Sequence, residues 1–135
     1  MGRYFFIYGT LKAGYHERAN QFDNQRTDVK EAWIDDADLY DLGFFPAMVH
    51  GTGRVFGELH EYDDWEYVLE AYDRIEGFHE ESPETSMYIR EVVDVHVGEQ
   101  VVKAYTYFWN DKLSNLTEDS QIRLLGDGVW LRKGN

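Results

Sequence analysis

The stretch Asp63–Gly77, reading D-D-W-E-Y-V-L-E-A-Y-D-R-I-E-G, decides the fold class, because it is the clearest helical pattern in a chain whose other apolar runs are β-like. Asp63 followed three residues later by Glu66 reads as a capping box, and Gly77 is the residue that can close a helix with positive φ. The spacing predicts a helix over Asp64–Glu76. At 100° per residue Trp65, Val68, Leu69, Tyr72 and Ile75 share one stripe, while Glu66, Tyr67, Glu70, Ala71 and Arg74 fall elsewhere. One face of this helix is therefore expected to lie against a core.

Outward from the helix, the patterns are those of strands. Arg3–Tyr8 (RYFFIY) is aromatic and β-branched and stops at Gly9, as a buried strand does. Leu39–Val49 reads as two strand pieces around a turn containing Gly43 and Pro46. Val55–Tyr62 nearly alternates apolar and polar residues, the mark of a half-buried strand. Tyr88–Val97 and Val101–Trp109 flank Gly98-Glu99-Gln100 and predict a hairpin. A sheet-dominated α+β chain follows. Its 135 residues, 43% hydrophobic and 29% charged with two prolines, suit one domain over residues 1–135, and no repeat or linker divides it.

Charge narrows the function classes. Thirteen Lys and Arg against 26 Asp and Glu give a formal charge of −13, which repels phosphate backbones and anionic lipid, so neither nucleic acid nor membrane is an expected partner. Most of the excess sits in Glu58–Glu99, with 14 acidic residues against two basic. No cysteine is present, which excludes disulfides, thiolate catalysis and Cys-ligated zinc. His16, His50, His60, His79 and His96 show no metal-ligand spacing, and no glycine-rich phosphate loop occurs, so neither a metal nor a cofactor is expected. Without a signal peptide or an apolar run long enough to span a bilayer, the expected location is the cytoplasm.

One carboxylate breaks the helical sorting. Glu76 follows Tyr72 by four residues and Leu69 by seven, so the geometry that buries those side chains points Glu76 inward as well. It also sits at the helix C-terminus, where carbonyl dipoles disfavour a negative charge by roughly 0.3–1 kcal/mol. Both effects raise the pKa of a carboxyl group, which suits a general base near neutral pH. The alternative is a frayed last turn with Glu76 in solvent. Asp73, one turn earlier, either tunes Glu76 by like-charge repulsion or pairs with Arg90. Tyr88 and Arg90 alternate onto one strand face, where Arg90 can neutralise acid and Tyr88 can offer a hydroxyl. Tyr8-Gly9-Thr10-Leu11 ends the first strand in a turn able to present successive backbone N–H groups to a carboxylate or oxyanion.

These pieces resemble, in order, a known family. FFIYGTLKAG at Phe5–Gly14, LYDLGFFPAM at Leu39–Met48, VFGELHEYDD at Val55–Asp64, YDRIEGF at Tyr72–Phe78, Tyr88-Ile89-Arg90 and AYTYFW at Ala104–Trp109 are similar to segments of γ-glutamylcyclotransferase-like proteins, most of all the small bacterial and AIG2-like branch. Gly126-Asp127-Gly128-Val129-Trp130 departs from the Gly-Asp-Trp ending common there, and no function is assigned to it. The resemblance implies a compact α+β fold round a small mixed β-barrel, with the active cavity at one mouth. It implies substrate binding by the turn at Tyr8, Gly9, Thr10 and Leu11, acid/base catalysis by Glu76 following Asp73, and a closing role over the substrate for Tyr107. Asp73, Tyr88 and Arg90 are expected to support the site.

The implied reaction needs no cofactor. The α-amine of a γ-glutamyl amide or peptide attacks its own γ-carbonyl, releasing an amine and 5-oxoproline, so the protein need not supply a nucleophile. The expected partner is a small-molecule γ-glutamyl substrate, with the protein a monomer or weak homodimer. A non-catalytic small-molecule-binding module on the same fold is the alternative.

Overall fold

In the computed structural model, residues 4–9, 22, 26–41, 46–110 and 123–129 are described. They form six strands, β1 (Tyr4–Ile7), β2 (Arg26–Asp41), β3 (Pro46–Tyr62), β4 (Tyr88–Val97), β5 (Gln100–Trp109) and β6 (Arg123–Leu124). One α-helix, α1 (Trp65–Glu76), and a short 3-10 turn (Pro83–Thr85) lie between β3 and β4. The strand order is β3-β1-β5-β4-β2-β6, and β2 also pairs with β3, so five strands close into a barrel with β6 alongside β2. The β1–β5 pairing is parallel and the others antiparallel, which makes the barrel mixed. Closure pairs the backbone edges that an open sheet would leave exposed.

Strand alternation sorts the side chains into two apolar layers. Phe6, Ile34, Leu39, Met48, Val55, Leu59, Val95, Ala104 and Phe108, drawn from all five strands, fill the barrel. Phe5, Ile7, Tyr62, Tyr88 and Tyr107 point the other way and form, with Phe22 and α1, a second cluster against the barrel wall. Each large apolar side chain buried this way contributes roughly 1.5–3 kcal/mol.

The two longest strands differ from the sequence expectation. β2 starts at Arg26, although Arg26–Glu31 is charged and mostly exposed, and β3 runs unbroken through Gly51-Thr52-Gly53. These glycines are not a turn. A Cβ at Gly51 would lie 2.1 Å from Asp38 Oδ2 and one at Gly53 2.6 Å from Asp38 Oδ1, so they make room for the Asp38 carboxylate, which accepts the Gly53 N–H at 3.1 Å. Opposite them stands the single β2 residue Asp36, whose φ is +62°, so the extra residues of this irregularity, three against one, belong to β3. The β4–β5 hairpin turns at Gly98-Glu99, with Gly98 at φ +58°.

α1 begins one residue later than expected. Asp64, not Asp63, is the N-cap, its side chain accepting the Tyr67 N–H at 3.4 Å. The buried positions are Val68, Ala71 and Tyr72, while Trp65, Leu69 and Ile75 are half-buried. Ala71 thus belongs to the buried face, where its small side chain fits the helix against the barrel. Trp65 roofs the layer at its edge, 5.1 Å from the Phe5 ring and stacked on Tyr105 at 5.8 Å.

Candidate functional site

The C-terminal end of α1 is clamped. Gly77 takes the left-handed conformation (φ +68°) and its N–H reaches Arg74 O, while Phe78 N–H bonds Asp73 O at 2.8 Å, the paired bonds of a Schellman motif. Met87 N–H then bonds Gly77 O at 2.9 Å and ties the helix end to the approach of β4. A frayed last turn is incompatible with these bonds. Glu76, the residue they hold, is half-buried.

Four tyrosines from four elements feel the charge of Glu76: Tyr8 after β1, Tyr72 on α1, Tyr88 on β4 and Tyr107 on β5. Burial pushes all four hydroxyls far above the ordinary phenol range, and the Glu76 charge adds to the rise at each. The carboxyl group is therefore within electrostatic reach of four O–H groups that stay protonated. Three of these have acceptors fixed by the backbone or by Asp73. Tyr88 donates to Pro46 O at 2.7 Å, Tyr8 to Tyr107 O at 2.6 Å, and Tyr107 to Asp73 Oδ1 at 2.6 Å.

Asp73 is the hub of the polar wall. Besides the Tyr107 hydroxyl it receives Arg90 Nη1 in a short ion pair whose side chains are 12% and 19% exposed. Arg90 Nη2 reaches Glu80 at 3.1 Å, and its guanidinium lies 5.1 Å from the ring centres of both Phe78 and Tyr105. Burial opposes the arginine's charge, but the Asp73 carboxylate outweighs it and raises the pKa. Of the two roles open to Asp73, the ion pair with Arg90 is the one the structure contains.

The turn after β1 is described as far as Gly9; Thr10 and Leu11 lie outside the described residues. Gly9 abuts β3, where a Cβ would sit 3.0 Å from Pro46 Cγ. Pro46 thus touches the turn with its ring and Tyr88 with its carbonyl. The structure accordingly gathers Tyr8, Asp73, Glu76, Tyr88, Arg90 and Tyr107 at one end of the barrel wall, with Gly9 adjoining through Pro46. Tyr107 is 2% exposed, and its hydroxyl donates to Asp73.

Sequence reasoning missed the inner polar residues. His60 is fully buried between Glu58 and Tyr62, and Tyr62 meets Tyr72 hydroxyl to hydroxyl. The period-2 spacing of Glu58, His60 and Tyr62 was the available signal, since it puts all three on one strand face. An open cavity of about 540 Å³ lined by Asp35, Asp36, Thr52, Gly53 and Arg54 shares no residue with the tyrosine cluster. Among the described residues no group of three or more His, Asp or Glu is placed to hold a metal ion, and no helix is long and apolar enough to cross a membrane.

Comparison with known proteins agrees with this architecture. The chain superposes on the solution structure of protein ytfP from Escherichia coli with a TM-score of 0.62 at 23% identity, covering 98% of this chain and 99% of that one. An AIG2-like protein from Mus musculus gives a TM-score of 0.61 at 22% identity over 78% of this chain and 76% of that one. YkqA from Bacillus subtilis gives 0.68 at 20% identity over 96% of this chain, which spans only 40% of the longer protein. No curated protein matches significantly by sequence. The family described as Gamma-glutamyl cyclotransferase, AIG2-like matches residues 5–132, nearly the whole length. The chain belongs to the Gamma-glutamyl cyclotransferase, AIG2-like family.

Proposed function

We propose that this protein is a cofactor-free γ-glutamylcyclotransferase-type enzyme acting on a small γ-glutamyl amide or peptide, with Glu76 as general acid/base. The observation that carries the reading is the carboxyl group of Glu76, held half-buried by the capped helix end among four protonated tyrosines. Such a group meets the demand for a positioned base.

In the reaction Glu76 takes a proton from the substrate's α-ammonium, and the freed amine attacks the γ-carbonyl. The new C–N bond closes the five-membered ring. The old amide C–N bond breaks as the proton on Glu76 passes to the departing amine. The attacking nitrogen then sheds its second proton, by way of the freed Glu76 carboxylate, to that amine, which leaves as an ammonium ion, so no water is consumed. The turn from Tyr8 through Gly9, Thr10 and Leu11 binds the γ-glutamyl group through backbone amides, which also stabilise the developing oxyanion. Asp73 and Arg90 neutralise each other and fix the wall. Tyr107 braces Asp73, and Tyr88 braces the Pro46 segment beside the turn. We further propose that the protein works in the cytoplasm as a monomer or weak homodimer.

The test is a panel of γ-glutamyl amides and peptides followed by 5-oxoproline release, with Glu76→Gln as the variant. Loss of a proton acceptor of this kind is expected to lower kcat by about 10²–10⁴-fold while leaving the fold intact. Turnover that survives Glu76→Gln refutes the mechanism. Saturable binding of a γ-glutamyl compound without product supports the binding-module alternative instead.

A further inference from the structure

A buried polar chain crosses from the barrel wall to α1. His60 Nε2 lies 2.8 Å from Glu58 Oε1, His60 Nδ1 lies 2.8 Å from the Tyr62 hydroxyl, and that hydroxyl meets the Tyr72 hydroxyl in a short contact. Glu58 is 24% exposed at its side chain and His60 0%, so the chain leads from the surface inward. The titratable and charged groups facing His60 are Glu58 and Tyr62 on β3, Arg26 on β2 and Tyr72 on α1, while β1 sets Phe5 opposite it.

Donor and acceptor counting gives this chain a direction. An ionised Glu58 only accepts, so with a neutral imidazole the proton must be on Nε2 and Nδ1 must accept. Tyr62 then spends its one proton on Nδ1. Its oxygen is then left to accept from Tyr72, while the Arg26 charge also acts on it. Protons therefore point from Tyr72 to Tyr62 to His60, and from His60 to Glu58.

We propose that this chain is a relay whose direction is set by the protonation of His60, which makes His60 and Tyr62 positioning residues for Glu76. A proton added to Nδ1 turns that nitrogen into a donor toward Tyr62. The Tyr62 hydroxyl rotates to donate to Tyr72, and the Tyr72 O–H must turn away from Tyr62. No bond between heavy atoms changes. Glu76 follows Tyr72 by one helical turn on the same face of the helix, and its charge acts on the Tyr72 hydroxyl, so a turned O–H has a negative group to face. A hydroxyl turned toward Glu76 weakens it as a base. Burial, which lowers the His60 pKa, keeps the active direction in force at neutral pH.

The consequence for catalysis rests on the acid/base reading of Glu76; the relay does not, and its test is separate. ¹⁵N NMR of the wild-type protein, with His60 assigned through its contacts to Tyr62, should find the proton on Nε2 and a hydrogen-bonded, unprotonated Nδ1 at neutral pH. In Tyr62→Phe the Nδ1 resonance should move toward its unbonded position. A neutral His60 protonated on Nδ1, or a His60 already charged at neutral pH, overturns the relay even if the variant fails to fold. With a γ-glutamyl amide, wild-type kcat/KM should show an about tenfold step at the pH where NMR sees His60 titrate, absent from Tyr62→Phe. NMR evidence for the chain without that step overturns the coupling to Glu76. Undiminished turnover in Glu76→Gln overturns the catalytic reading and leaves the relay to the NMR result.

Discussion

Gly57 offers a way to move the candidate site without touching any of its polar groups. It sits in β3 where β1 ends, and a Cβ there would lie 2.2 Å from Ile7 O and 3.0 Å from Ile7 C. Real Cβ atoms essentially never come within 3.0 Å, so Gly57→Ala must push β1 and β3 apart by close to 1 Å at the carbonyl that leads into Tyr8 and Gly9. Overpacking against a rigid carbonyl costs about 3 kcal/mol, and the reduced freedom of the unfolded chain returns about 0.7 kcal/mol, leaving roughly 2 kcal/mol of net destabilisation. For a chain of this size that is a drop in Tm of about 8 °C. A displacement of this order between a binding turn and a catalytic group is expected to lower kcat/KM about 10²-fold. Thermal unfolding and 5-oxoproline release on the same preparation measure both, with Gly126→Ala, which meets nothing within 4 Å, as the neutral control. A Gly57→Ala protein as stable as the control refutes the steric argument. A destabilised protein with unchanged turnover refutes the link between the end of β1 and the chemistry.

Asp73→Asn removes the charge shared by Arg90 and Tyr107 and should destabilise by about 2 kcal/mol in urea unfolding, while lowering kcat less than Glu76→Gln does. Because burial lowers the His60 pKa in the folded state, the unfolded state binds the extra proton first, so this contribution to stability is complete above pH 6.5 and is lost as pH falls through the folded value. Urea midpoints between about pH 7.5 and 5.5 should therefore fall more steeply for wild type than for His60→Gln. Gly77→Ala forces a side chain into φ +68° with its Cβ 3.2 Å from Met87 Cβ, and should cost about 1–2 kcal/mol by thermal unfolding.

The parts of this fold that were legible in the sequence are those governed by local periodicity. The stripe of α1, its glycine stop and the β4–β5 hairpin follow from spacing alone, and the inward position of Glu76 follows from the same arithmetic. The first half of β2 did not declare itself, because an exposed stretch of a barrel strand has no need of an apolar face and Arg26–Glu31 carries charge instead. The continuity of β3 from Pro46 to Tyr62 stayed hidden for a related reason: Gly51 and Gly53 answer to Asp38 on the neighbouring strand, a partner no local window contains. The Asp73–Arg90–Tyr107 hub and the His60 chain likewise join residues from separate elements. Their members were visible as types, but their meeting depends on register between strands and on how deeply α1 settles, which Ala71 controls.

The four-residue β1 has a consequence for how the molecule comes into being. It is the slat between β3 and β5, antiparallel to one and parallel to the other, and its partner on the β5 side, Tyr105, lies a hundred residues downstream of Phe5. During synthesis β1 must wait, its Phe5 and Ile7 uncovered, until β5 has followed it out. Barrel closure is thus a late, long-range event, slowed by loop-closure entropy, and the growing chain carries an adhesive N-terminal edge during that interval. The end of that strand leads into Tyr8, whose hydroxyl feels the Glu76 charge, so the candidate site is assembled by the same step that seals the wall.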